Sequence, residues 1–92
     1  MSAILPATIR ERVRGFLAQN FYLPDPSALG DDDSLVEQGI VDSTGVLEVL
    51  AFLEQDFAIH VEDAETVPQN LDSIRNIVDF VGRKLARKAE AA

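Results

Sequence analysis

Only one segment of the chain, Phe57-Ala58-Ile59-His60-Val61, alternates its residues as a half-buried strand does, and no other segment offers it a pairing partner. An unpartnered strand has no ladder to complete, so the sequence is confined to an all-α fold. The segment is then read as an extended crossing that brings Phe57, Ile59 and Val61 to the core. Elsewhere the apolar residues recur at helical spacing. From Pro6 to Phe21 they are Ile9, Val13, Phe16 and Leu17, at i, i+4, i+7 and i+8, with Pro6 suited to a first helical turn. Pro24, Asp25 and Pro26 forbid continuation and open a long connection through Gly30 and the run Asp31 to Asp33. Within it, Ser34-Leu35-Val36-Glu37 fits a capping box closed by Gly39, which predicts one short helical turn.

Asp42 or Ser43 can cap the next helix, which the stripe Val46, Leu47, Val49, Leu50 and Leu53 places from about Ser43 to Gln55. A brief turn from Asp63 to Val67 ends at Pro68. Asn70 or Asp72 then caps a last helix in which Ile74, Ile77, Val78, Val81 and Leu85 share one face, and the tail 87–92 is expected to fray. The expected architecture is one domain, 1–92, folded as a small antiparallel four-helix bundle with three long helices and one short one.

Size and charge narrow the function. A chain of 92 residues buries about 60 to 65% of its unfolded surface, enough for one small core but not for a two-lobed enzyme with a deep cleft. All eight bases lie at Arg14 or before it, or at Arg75 or beyond it. Asp25 to Glu65 holds twelve acids and no base but His60, so the middle carries −12 and the flanks +4, within a net charge of −8. Such a field disfavours nucleic acid and anionic membrane and steers basic protein surfaces toward the middle. With no apolar run near the ~18 residues that span a bilayer, and no leader-like pattern in MSAILPATIRER, the reading is a cytoplasmic, soluble monomer.

The search for chemistry is short. With no Cys, one His, one Tyr and no Gly-rich phosphate loop, no catalytic set can be assembled, and His60 reads as a surface residue. Asp31-Asp32-Asp33 fails as a calcium loop: Val36 stands at the sixth place, where the turn needs Gly, and Asp42 at the twelfth, where a bidentate Glu belongs. No metal is expected. Gly45, close to the start of the second helix, has two readings: close approach of another group to the backbone, or simple tolerance of Gly in a first turn.

What remains is the junction from Glu37 to Glu48. Its DSLVEQGIVDS run, the helix order, the long first loop and the acidic second helix together resemble the acyl, aminoacyl and peptidyl carrier proteins, over nearly the whole chain. The resemblance implies a bundle of the acyl-carrier type, non-catalytic, in which Ser43 receives 4′-phosphopantetheine from coenzyme A and holds cargo as a thioester. The position agrees physically, since a phosphodiester at an exposed helix start lies near unpaired N–H groups and is favoured by about 0.3 to 1 kcal/mol. The ordinary alternative for Ser43 is an N-cap.

In matching positions the resemblance implies an enzyme-docking face of Asp42, Glu48 and Glu54, with Glu37 just upstream and Val46 and Leu47 as its apolar centre, one of these two also facing the core. The implied partners are a phosphopantetheinyl transferase, an adenylate-forming aminoacyl or acyl ligase, and downstream enzymes that accept the acyl group. Ser43-Thr44-Gly45 departs from the D-S-L usual in fatty-acid carriers and looks more like the D-alanyl and some aminoacyl carriers. Five Phe residues further suggest a filled interior. A small amino acid is therefore the expected cargo, with a fatty-acid or polyketide carrier, or an unmodified acidic adaptor, as the alternatives.

Overall fold

The computed structural model describes residues 5–21, 23 and 25–91, and the helix stop read at Pro24 falls outside them. Its α-helices are α1 (Pro6–Asn20), α2 (Ser43–Phe57), the single turn α3 (Pro68–Leu71) and α4 (Ile74–Ala91), with 3-10 turns at Pro26–Ala28 and Asp63–Glu65. No strand occurs among the described residues. Ile9, Val13 and Leu17 of α1, Val49, Leu53 and Phe57 of α2, and Ile74, Ile77, Phe80 and Val81 of α4 meet in one buried core. Arg12, Phe16 and Phe21 contact Asp56, Phe52 and Gly45 respectively, so α1 runs against α2.

The segment 57–61 is the extended crossing expected, although Phe57 itself completes α2. Phe57 and Ile59 are buried and Val61 is half-buried. Ala58 ends the helix in the left-handed region at φ 54°, a conformation costing a non-glycine residue roughly 1 kcal/mol. Two bonds hold the reversal. Lys88 Nζ donates to Ala58 O at 2.7 Å, and Val61 N–H donates to Glu54 Oε2 at 3.0 Å.

Two local expectations are corrected. Ser73, not Asn70 or Asp72, caps α4: its buried Oγ accepts from Asn76 N–H at 3.1 Å, while Asn70 binds Glu65 O and Arg83. Pro68, read as the end of a turn, also begins one, its missing N–H costing nothing at a first helical position. Of the tail, residues 87–91 are helical and continue α4, with Lys88 Nζ reaching Ala58 O, and Ala92 lies outside the described residues.

The long first connection is held at both ends. Arg10 Nε donates to the two oxygens of Asp31 at 3.0 and 2.8 Å, and Arg14 Nη2 donates to Asp31 Oδ1 at 2.8 Å and to Leu29 O at 2.6 Å. Arg75 pairs with Asp32, and its backbone N–H donates to Asp31 O at 2.9 Å. Asp33 accepts from Gly30 N–H at 2.8 Å. Further on, Asp72 accepts from Ser34 Oγ at 2.6 Å and Val36 N–H at 3.1 Å, and its carbonyl takes Leu35 N–H at 2.7 Å. The turn predicted at Ser34 to Gly39 forms there: Ser34 Oγ takes Glu37 N–H, and Gly39, at φ +72°, closes it with the bonds Gly39 N–H to Val36 O and Ile40 N–H to Leu35 O.

Hydrogen bonding from Arg10, aided by Arg14, holds the Asp31 carboxyl below its ordinary range. A depressed carboxyl stabilises the fold above its unfolded pKa, and that contribution disappears as pH falls through the folded value. Asp31→Asn is therefore expected to lower stability by about 1 kcal/mol at neutral pH. The deficit should begin to shrink as the pH drops below about 4, where the carboxyl of the unfolded chain takes up its proton, and be lost once the folded carboxyl protonates as well. Denaturant melts of both proteins at neutral and acid pH check this; a deficit of the same size in acid would contradict it.

Candidate functional site

Asp42 precedes α2 in an extended conformation. Its carboxylate accepts from Gly45 N–H at 2.7 Å and its carbonyl from Val46 N–H at 2.9 Å. Asp42 is thus the cap, worth about 1 kcal/mol, and Ser43 is released from that duty. Ser43 becomes the first residue of a fifteen-residue helix. It is exposed, and its hydroxyl has no hydrogen-bond partner among the described residues. The N–H groups of Ser43 and Thr44 belong to the open end of the helix, where an anion is favoured by both hydrogen bonding and the helix dipole. A phosphodiester on Ser43 Oγ therefore meets free space and compatible donors, so the residues present fit a pantetheine phosphate.

Gly45 is buried, and a Cβ placed on it would lie 2.8 Å from Phe21 Cε1 and 3.3 Å from Asp42 Oδ1. Of its two readings, close approach holds. The approaching group is a ring of the same chain.

The acidic face divides. Leu47 is 65% exposed and Val36 57%, while Val46 is half-buried, which settles which of Val46 and Leu47 turns inward. Glu48 and Glu37 are exposed, and their carboxylates make no ion pair or hydrogen bond among the described residues. Asp42 is exposed but engaged as the cap. Glu54 is half-buried and bound to Val61 N–H, with His60 Nδ1 at 3.4 Å; His60 Nε2 lies 3.3 Å from Glu62. Glu54 therefore braces the crossing after α2, and the open acidic and apolar groups gather toward the start of the helix.

Beside that start lies an open cleft of about 380 Å³. Leu35, Val41, Val46, Val67 and Leu71 give it apolar walls, and Val41 and Val46 bracket the turn that carries Ser43. The five rings do not fill this region: Phe16, Phe21 and Phe52 gather on the α1–α2 seam, Phe57 joins them edge-on, and Phe80 is buried on α4. Sequence reasoning missed the cleft, the exposed Val36 and the role of Asp72. Asp72 acts on residues 36 and 38 positions away, for which no local pattern exists. Among the described residues no group of three or more His, Cys, Asp or Glu could hold a metal ion, and no helix is long and apolar enough to cross a membrane.

No profile of a known protein family matches the chain. It is similar to an acyl carrier protein of Thermosynechococcus vestitus (strain NIES-2133 / IAM M-273 / BP-1), 27% identical over 78 residues that cover 85% of this chain and 93% of the relative. The resemblance to carrier proteins read from DSLVEQGIVDS is supported over most of the chain.

The two acids of α2 should behave differently when replaced. Glu54→Ala removes the acceptor of a half-buried backbone N–H and is expected to cost about 1 kcal/mol, whereas Glu48→Lys should change stability by less than about 0.5 kcal/mol. Thermal melts of the two variants check this, and equal losses would contradict the division of the acidic face.

Proposed function

We propose that this chain is a carrier of acyl groups in which Ser43 is the attachment point for 4′-phosphopantetheine. The observation that carries the reading is the release of Ser43 from capping. Asp42 satisfies the first turn, so an unengaged hydroxyl stands at the exposed start of a long helix. In the attachment step Ser43 Oγ forms a bond to the pantetheine phosphorus of coenzyme A and the diphosphate bond to that phosphorus breaks. Adenosine bisphosphate leaves, and the hydroxyl proton passes to the transferase. When bound, the group supplies the thiol that forms the thioester, a thiol this chain cannot supply because it has no Cys. The carrier itself performs no catalysis.

The partners on this reading are a phosphopantetheinyl transferase, an adenylate-forming ligase that loads the thiol, and enzymes that accept the acyl group. Leu47 and Val36 offer them an apolar centre, with Glu48 and Glu37 as unpaired charges beside it. The cargo follows the cleft. Both sequence arguments for a small amino acid weaken, because Gly45 answers to Phe21 and an apolar cleft lies open beside the start of α2. An acyl chain held on the arm would find apolar walls in Val46, Val41 and Leu71, and each CH₂ it buried there would contribute about 0.8 kcal/mol.

One preparation tests both statements. Treatment with octanoyl-coenzyme A and a phosphopantetheinyl transferase should add one octanoyl-pantetheinyl mass to the wild type and none to Ser43→Ala. The octanoyl form should melt higher than the form carrying an alanyl group. An adduct that persists on Ser43→Ala defeats the assignment, and the absence of any adduct on the wild type favours an unmodified adaptor. A melting temperature indifferent to the octanoyl chain returns the cargo to a small amino acid.

A further inference from the structure

We infer that Phe21 and Gly45 form a positioning pair that sets where the first turn of α2 holds Ser43. The inference rests on Ser43 being the attachment point. Phe21 follows the last residue of α1, and its backbone N–H donates to Leu17 O at 3.0 Å, so the ring is tethered to the end of that helix. The ring stands edge-on to Phe16 at 5.9 Å, and Phe16 in turn stacks on Phe52 of α2 at 4.2 Å. Ring-to-ring contact on one side and the α2 backbone on the other seat the half-buried ring of Phe21 against the first turn of α2.

Gly45 lies two residues beyond Ser43, and its N–H is the donor that Asp42 caps. The cap and the ring therefore act on the same residue. Non-bonded carbons settle at about 3.5 to 4.0 Å. A Cβ at position 45 would stand 2.8 Å from the ring, so any side chain there forces the ring out or the first turn of α2 away from α1. Such a shift moves the Ser43 hydroxyl relative to Leu47 and Glu48 further along the helix. A transferase that docks on those residues would still bind, but it would find the nucleophile out of place, and small displacements of a reacting group have large effects on rate. Glycine at 45 is thus fixed by a contact within the chain.

The test is a cycle of four proteins, wild type, Gly45→Ala, Phe21→Leu and the double variant, assayed for transfer from coenzyme A with the carrier concentration varied. Gly45→Ala is expected to lower kcat by roughly tenfold or more while KM stays within about twofold, because docking is preserved and alignment is lost. Phe21→Leu, which removes the ring edge but keeps an apolar side chain, should restore most of that rate to Gly45→Ala. A Gly45→Ala protein modified at the wild-type rate overturns the inference, and so does a double variant as slow as Gly45→Ala. If Gly45→Ala does not fold, recovery of helicity and modification in the double variant supports the pair, and continued unfolding defeats it. If the wild type takes no pantetheine, the attachment reading fails on its own. The pair is then judged by whether the two substitutions couple in melting temperature, and additive shifts would refute it.

Discussion

The side chain and carbonyl of Asp72 hold the structure at the place where the fold and the site meet. Between them they accept from Ser34 Oγ, Leu35 N–H and Val36 N–H, joining the second half of the long connection to the junction of α3 and α4. Leu35 is thereby buried at 1% exposure, and its carbonyl receives both Ile40 N–H and Val41 N–H. That carbonyl sets the direction in which the chain enters Asp42 and α2. A loop of this length costs conformational entropy to order, and these bonds, with the burial of Leu35 and Val41, offset it where the position of Ser43 is decided.

The same economy explains the uneven charge. Bases at the ends and acids in the middle fold into contact: Arg10 and Arg14 meet Asp31, Arg75 meets Asp32, Arg12 meets Asp56 and Lys84 meets Glu65. Each exposed pair is worth little alone, but Arg10, Arg14 and Arg75 together fasten the irregular segment at Asp31 and Asp32 to α1 and α4, while Arg12 ties α1 to α2 and Lys84 ties α4 to the turn at Glu65. Glu37 and Glu48 are outside this set. Part of the charge left outside ion pairs thus lies beside Leu47 and Val36, near Ser43, where it can steer an encounter without being needed for stability.

The sequence reading succeeded where structure is local and periodic. The stripes of α1, α2 and α4 are strong, and the crossing at Ile59 follows from the lack of any second strand. It failed where neighbouring residues compete for one role. Asn70, Asp72 and Ser73 can all cap a helix, and only the distant demand of Ser34 and Val36 on Asp72 leaves the cap to Ser73. At the candidate site, Ser43 was singled out through the pattern around it. The meaning of Gly45 was open because Phe21 is remote in sequence, and the cleft was illegible because a void is a property of packing.

Asp42 takes the cap, Phe21 fixes the turn, and Ser43 is left with an exposed, unengaged hydroxyl beside that of Thr44. Fragment-ion mapping of the protein after reaction with coenzyme A and a phosphopantetheinyl transferase tests this account most directly. It predicts a single phosphopantetheinyl group located on Ser43; a group located on Thr44, or on any other residue, would contradict it.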